Sequence, residues 1–323
     1  MRWFWAVLAF PALAQRAPTF AVDVNLVRVP CVVTDDSGVP VTDLRRENFA
    51  VFEDGALREI KYLWQETDLP LTVGLVVDIS GSVAKYVEEH RQIVLQFLGQ
   101  TLSKHDRAFL VSVGIQQRLV VDVTNSTESL RAGVEAITSQ EAEILGDPCS
   151  KGKRFRLLFR SVVLPCTSPI WNGVFFAARL KLNPQPGRKA MLLLTDGWDM
   201  GSDHGLTDAI EACQSADTMV YSIRFFDLGP EWLSARAKRN LERHLMNAKR
   251  DLGQLSSETG GRVYDGESAN MRAIFKSIEA DLRSQYVIGY TQPRAPKQGY
   301  HRIKVRVNRP GLVVRTRNGY FAK

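Results

Sequence analysis

Two periodicities divide this chain. From Leu71 to Gln285, near-continuous apolar runs alternate with segments whose apolar residues recur every three or four positions; on either side, apolar and polar residues simply alternate. "LTVGLVVD" at 71–78 and "RKAMLLLTDG" at 188–197 have the pattern of strands covered on both faces. Between Val83 and Leu102, residues Val87, Ile93, Val94, Phe97 and Leu98 fall at helical spacing. "RAFLVSVG" and "RLVVDVT" follow as two short strands of a hairpin, and "STESLRAGVEAI" opens a helix with Ser126 as N-cap. Ser129 stands where a capping-box glutamate would, so the box itself is absent. "SPIWNGVFFAARLKL", "LTDAIEACQSA" and "MRAIFKSIEADLRSQ" read as helices, and "TMVYSIRFF" and "TGGRVYD" as strands. Repeated strand-helix alternation predicts an α/β fold, a doubly wound and mostly parallel sheet over residues 69–285.

The flanks have the period of two. Residues 20–66 carry alternating apolar positions broken by the turn sequences Asp35-Asp36-Ser37-Gly38 and Asp54-Gly55, and residues 286–323 return to the same pattern. The two are expected to pair into one appended antiparallel β sheet built from both ends of the chain. The stretch from Gln140 to Thr167 is the least regular, and it is long for a loop within a domain.

The first residues, "MRWFWAVLAFPALAQ", place Arg2 before an apolar run and end it with Ala12-x-Ala14, which predicts a signal peptide over residues 1–14 and a secreted or periplasmic protein. The run is shorter than the roughly 20 apolar residues of a spanning helix, and no later segment is long enough to span. Export puts Cys31, Cys149, Cys166 and Cys213 where disulfides persist. Cys149 and Cys166 flank a basic loop and are the favoured pair among the connectivities open to four cysteines; Cys31 and Cys213 lie in patterned segments where buried free thiols are common. With 323 residues and 45% hydrophobic content the chain can bury a sizeable core.

Net charge is +7, and Thr291 to Lys323 holds nine Lys or Arg with no Asp or Glu. Such a tail suits peripheral contact with an anionic envelope surface, but basic-apolar alternation is first the solvated face of antiparallel strands. Export leaves nucleic acid no part as a partner.

In an open α/β sheet, ligands bind beyond the carboxyl ends of the strands. Three oxygen-rich segments are expected there: Asp78, Ser80 and Ser82 after the first buried strand, Thr167-Ser168 before a helix, and Asp196 at the end of "LLLTD". Carboxylate and hydroxyl oxygens are hard ligands, suited to Mg²⁺, Mn²⁺ or Ca²⁺. Neutral serine ligands would leave such an ion with charge to spare for an outside anion. Helix capping by Asp and Ser is the plain alternative for any one of these segments; it is their joint occurrence that points to a metal.

Asp78-x-Ser80-x-Ser82, with a later hydroxyl and a later Asp-Gly, resembles the metal-ion-dependent adhesion site (MIDAS) of von Willebrand factor A domains. The family's third-loop threonine is matched by Ser168 in "SPIWNGV", with Thr167 the neighbouring alternative, and Asn172 stands where many bacterial relatives have Asp. The layout of the chain, with "VTDDSGVPVTDLRRENFAVFEDG", "TDG", "ETGGR" and "YVIGY", is similar to that of acidobacterial VWFA-related secreted proteins. The resemblance implies the fold and a metal site; the leading expectation for function is an adhesion-type binding module, not an enzyme, whose metal captures a carboxylate from a partner protein. A metal-dependent hydrolase with Asp78 as nucleophile, or a structural envelope protein with a vestigial site, are the alternatives.

Other features have plainer readings. Asp199 and Asp203 miss the EF-hand spacing and are expected in a solvated turn. The five histidines, His90, His105, His204, His244 and His301, lack ligand spacing and are expected on the surface. The basic helix from Glu231 to Ser257 sets Trp232, Leu233, Leu241, Leu245 and Leu252 against a face of arginines, and is expected to pack on the sheet rather than on a membrane.

Overall fold

The structure is a computed structural model that describes residues 26–65, 69–114, 116–137, 155–157, 160–162, 168–226, 235–266, 271–292 and 298–322. The predicted signal peptide, Cys149, Cys166, Thr167, Trp232 and Leu233 lie outside these residues.

The flanking strands come first in the chain: β1 (Leu26–Asp35), β2 (Phe49–Glu53), β3 (Ala56–Arg58) and β4 (Ile60–Gln65). The central region runs β5 (Leu71–Asp78), α1 (Val87–Thr101), β6 (Arg107–Val113), β7 (Gln117–Thr124) and α2 (Thr127–Ala136). A two-stranded ribbon, β8 (Phe155–Leu157) and β9 (Arg160–Val162), precedes α3 (Ile170–Phe176), which runs on into a π-helical turn at Ala177–Leu182. There follow β10 (Arg188–Thr195), α4 (Leu206–Ser215), β11 (Thr218–Arg224), α5 (Ala235–Glu258), β12 (Arg262–Asp265) and α6 (Met271–Arg283).

The central sheet has the order β12-β11-β10-β5-β6-β7, parallel throughout except for β7, which pairs antiparallel with β6 as the hairpin reading expected. Every residue of β5 is buried. Leu71, Val73, Leu75 and Val77 face the layer of α1, α2 and α6, where Phe97 meets Phe275 with ring centroids 5.5 Å apart. Val76 faces the other layer, with Ile170 and Val174 of α3, Cys213 of α4 and Leu252 and Leu255 of α5. Fully burying each such side chain stabilises by roughly 1.5–3 kcal/mol, so α5 is held by Leu245, Ala248, Leu252 and Leu255 while its charged face stays in water. Ser126 caps α2, its Oγ accepting from the Ser129 N–H at 3.1 Å. The helix expected from Val83 begins later: a 3₁₀ turn, Gly81–Tyr86, intervenes before α1.

Both ends of the chain build an appended antiparallel unit, as two sheets rather than the one expected. After α6 come β13 (Tyr286–Thr291), β14 (Gly299–Val307), β15 (Leu312–Thr316) and β16 (Gly319–Ala322). The sheets have the orders β15-β1-β13-β4 and β16-β14-β2-β3. Strand alternation reveals which face of each strand is apolar but not which neighbour it pairs with, and the apolar faces of two sheets close on one core around Val29, Val51, Tyr286, Ile288, Tyr290 and Ile303. Cys31 and Cys213 are buried free thiols, and burial pushes Cys31 up to about 12.

Candidate metal centre

Strand order places the site. The chain leaves β5 for β6 on one side, while β10 pairs with β5 on the other, so the crevice of this doubly wound sheet opens between the carboxyl ends of β5 and β10. Asp78 ends β5, and Asp196 directly follows β10. Asp78 is wholly buried. Its Oδ1 accepts from the Ser80 N–H at 2.9 Å, and its Oδ2 accepts from the Thr195 hydroxyl at 2.6 Å. The Ser80 hydroxyl adds a further hydrogen bond. Burial and then the negative charge of Asp196 raise the Asp78 carboxyl well above the usual carboxylate range, against the pull of these donors.

The turn after β10 arranges the second carboxylate. Asp196 is 2% exposed, and its Oδ1 accepts from the Trp198 N–H at 2.8 Å. Gly197 has φ +79°, and a Cβ there would lie 2.6 Å from Leu252 Cδ1, so only glycine lets the chain turn this tightly beneath α5. The Gly197 N–H donates to Thr195 Oγ1 at 2.9 Å, which leaves the Thr195 hydroxyl proton for Asp78.

Ser168 reaches the same loop from the far side. It exchanges backbone hydrogen bonds with Met200, Ser168 N–H to the Met200 carbonyl at 2.8 Å and Met200 N–H to the Ser168 carbonyl at 3.0 Å. Helix α3 then presses on the sheet so closely that a Cβ at Gly173 would lie 2.4 Å from Val113 Cγ2. Ser168 Oγ is buried and has no hydrogen-bond partner among the described residues. Ser82 lies on the 3₁₀ turn after Ser80, and its side chain is outside the described part.

Several expectations are corrected here. His90 is fully buried, not at the surface; its Nδ1 lies 3.2 Å from the Asp78 carbonyl, its ring centroid is 4.6 Å from that of Phe225, and burial lowers its pKa to about 4. His301 is also buried, with Nδ1 2.8 Å from Asp54 Oδ2. Asp199 is no solvated turn residue: its Oδ1 accepts from the Trp171 N–H at 3.1 Å, at the start of α3, and from the Ser202 hydroxyl at 2.5 Å. Asn172 clamps the same loop, with Oδ1 accepting from the Asp203 and His204 N–H groups, both at 3.0 Å, and Nδ2 donating to Asp203 Oδ2 at 3.3 Å. Thr195 was not among the residues singled out from sequence; a hydroxyl immediately before Asp-Gly at the end of a buried strand was its only signal.

The donor set can be compared with the cation it would suit. Among the described residues, no three His, Cys, Asp or Glu side chains converge, which leaves two carboxylates and hydroxyls to hold an ion at this crevice. That set fits a hard divalent cation, and the raised Asp78 carboxyl together with the unpartnered Ser168 hydroxyl fits a position where positive charge and a ligand bond are called for.

The reversal of strand order at β5, with the Asp-x-Ser-x-Ser turn set on it, decides the fold. It is a doubly wound α/β domain whose turn at the end of β5 carries the residues that resemble a metal-ion-dependent adhesion site. No family model matches the chain, and no curated protein matches it. Among solved structures it is similar to a von Willebrand factor type A protein from Catenulispora acidiphila, at 11% identity and TM-score 0.45, over 94% of this chain and 75% of that one. It is also similar to the conserved hypothetical protein BatB from Bacteroides thetaiotaomicron, at 14% identity and TM-score 0.41, over 64% of this chain and 97% of that one. A third is proximal thread matrix protein 1 from the mussel byssus with a zinc-occupied MIDAS motif, at 12% identity and TM-score 0.45, over 73% of this chain and 50% of that one. At these identities the likeness is one of fold.

Proposed function

We propose that this domain is of the von Willebrand factor A type, an exported, metal-dependent binding module whose Asp78, Ser80, Ser82, Ser168 and Asp196 hold a divalent cation, Mg²⁺ or else Mn²⁺ or Ca²⁺. The observation that carries the reading is the buried Ser168 hydroxyl without a partner, tied through Met200 to the loop that begins at Asp196. A buried hydroxyl left unpaired costs about 1–3 kcal/mol, so a ligand for it at this crevice is physically favoured. The bound ion would supply a Lewis-acidic position for a carboxylate of a partner protein. The chain's own part is orientation: Thr195 and the Ser80 N–H fix both oxygens of Asp78, and Gly197 sets the turn that carries Asp196. A predicted leader over residues 1–14 supports export, and no helix among the described residues is long and apolar enough to cross a membrane.

The hydrolase alternative fits less well, because both Asp78 oxygens already accept hydrogen bonds and Ser80 occupies the position two residues on where a general acid would be needed. Calorimetric titration of the full chain with Mg²⁺, Mn²⁺ and Ca²⁺ tests the reading. Saturable binding of at least one ion, lost in Asp78→Ala and weakened in Ser168→Ala, is expected. An undiminished heat of binding in Asp78→Ala would sink it.

A further inference from the structure

The appended β unit carries a second feature, unrelated to the metal centre. Along β14 the burial alternates: His301, Ile303 and Val305 point into the core, while Tyr300, Arg302, Lys304 and Arg306 point outward. Alternate residues of a strand lie about 6.8 Å apart, so the three cations form a straight, evenly spaced row. They line an open groove of about 680 Å³ together with Phe52, Asp54, Gly55 and Tyr300. Phe52 stands directly across from Lys304 in the ladder, and its ring lies under the Arg306 guanidinium at 5.3 Å. Tyr300 is 43% exposed.

The charges of the row are uncompensated. None of Arg302, Lys304 and Arg306 has a carboxylate partner among the described residues. Asp54, the one acid of the groove lining, is engaged by His301 Nδ1 at 2.8 Å and by the Arg302 backbone N–H at 2.9 Å. Buried neighbours on alternate positions fix the backbone of β14, so the spacing at which the three cations leave the strand is preset. Arg302, Lys304 and Arg306 on one face give the groove a positive field that draws in anions.

We propose that this groove binds a linear anionic polysaccharide, its carboxylates or sulfates meeting Arg302, Lys304 and Arg306 and the C–H faces of its sugar rings packing on Phe52 and Tyr300. Two features favour that occupant. A single row of cations matches a line of charge, whereas a bilayer presents a plane of charge. The exposed ring of Tyr300 and the half-buried ring of Phe52 beside the cations give apolar surface for a sugar ring that a free small anion would not use.

Titration of the full chain in EDTA with polygalacturonate, dextran sulfate, neutral dextran, polyglutamate and phosphatidylglycerol vesicles tests this. EDTA separates the groove from the metal centre, so failure of one reading leaves the other standing. At least one anionic polysaccharide should bind and neutral dextran should not, with affinity falling as salt rises. The double variant Lys304→Glu/Arg306→Glu should lose at least about tenfold in affinity with its melting temperature unchanged, since both side chains are exposed. Tyr300→Ala should weaken polysaccharide binding while leaving its salt dependence in place. Unchanged affinity in the charge-reversal variant overturns the proposal, as does binding of polyglutamate or vesicles where neither anionic polysaccharide binds.

Discussion

The two ends of the central sheet both bury carboxylates, and they satisfy them in opposite ways. At the amino end, Asp106 accepts from the Leu71 N–H, from both the N–H and the hydroxyl of Ser103, and from Arg283 Nη2, each at 2.8 Å. Burial pushes the Asp106 carboxyl up, and these donors together hold it below the usual range. Asp281, near the junction with the appended unit, is met by Arg315 at 2.6 Å. At the carboxyl end, Asp78 receives only N–H and hydroxyl donors, and its nearest strong charge is another carboxylate, so its pKa moves the other way. Burial alone therefore does not mark a functional acid. A buried carboxylate that brings its own arginine belongs to the framework, and one set beside a second carboxylate has a place for positive charge from outside.

The sharpest way to break this comparison is to remove a built-in countercharge. Arg315→Met would leave Asp281, 1% exposed as a side chain, with only the more distant Arg262 at 3.9 Å as countercharge, and should cost about 3 kcal/mol in denaturant-induced unfolding. Asp78→Asn should have little effect on the metal-free protein, or stabilise it, because it relieves repulsion with Asp196. A large destabilisation by Asp78→Asn, matching that of Arg315→Met, would erase the distinction.

His90 supplies the next largest effect, because it is held neutral against the Asp78 carbonyl. Its folded pKa of about 4 lies below the ordinary 6.5, so the unfolded chain takes up the proton first as pH falls. Its contribution to stability is thus whole above pH 6.5, is lost progressively down to pH 4, and is flat below that. The shift corresponds to about 3 kcal/mol. Asp78, raised in the fold, acts in the opposite sense and partly masks the loss in the intact protein. The stability difference between the native chain and His90→Leu cancels the Asp78 contribution and should shift by that amount between pH 7 and pH 4, the native chain losing ground. A difference independent of pH would contradict the buried neutral imidazole.

A divalent cation should then stabilise the carboxyl end and leave the amino end untouched. Binding at a concentration of about 100 times Kd raises unfolding free energy by about 2.7 kcal/mol. Thermal melts with and without Mg²⁺, Mn²⁺ or Ca²⁺ should show that rise in the native chain and in Arg315→Met alike, and none in Asp196→Asn. A rise that persists in Asp196→Asn would place the cation elsewhere.

Much of this contrast was legible in the sequence, and the illegible parts have a physical cause. Asp78, Ser80 and Asp196 could be placed because apolar runs show where buried strands end, and a strand end of a doubly wound sheet is where ligands gather. Thr195 was hidden because threonine also belongs in strands as a β-branched residue, so its hydroxyl gave no signal apart from position. His90 was readable in principle: it falls at helical spacing with Val87, Val94 and Phe97, all buried on one face of α1. Treating histidine as polar concealed that stripe. Pairing in the appended unit was not legible, since alternating strands from both chain ends suit one sheet or two until the core they share is known. The arginine partners of Asp106 and Asp281 stand 177 and 34 residues away in sequence, beyond any local pattern.

Asn172 gives the smallest test, because it ties α3 to the loop that follows Asp196. Its Nδ2 donates to Asp203 Oδ2, while its Oδ1 receives the N–H groups of Asp203 and His204. An aspartate could keep the second pair of bonds but would replace the donor with a carboxylate facing a carboxylate. Asn172→Asp should therefore destabilise the loop by about 1 kcal/mol, the scale of one lost hydrogen bond. Adding Asp203→Asn should restore most of that loss, since the new amide can donate in turn to the carboxylate introduced on α3. Because the same loop carries Met200, which pairs with Ser168, the single variant should also weaken cation binding and the double variant should recover it. If Asn172→Asp leaves both stability and cation affinity unchanged, the loop does not transmit the position of Ser168, and the carboxyl end of the sheet is held by Asp199 and the Met200 pairing alone.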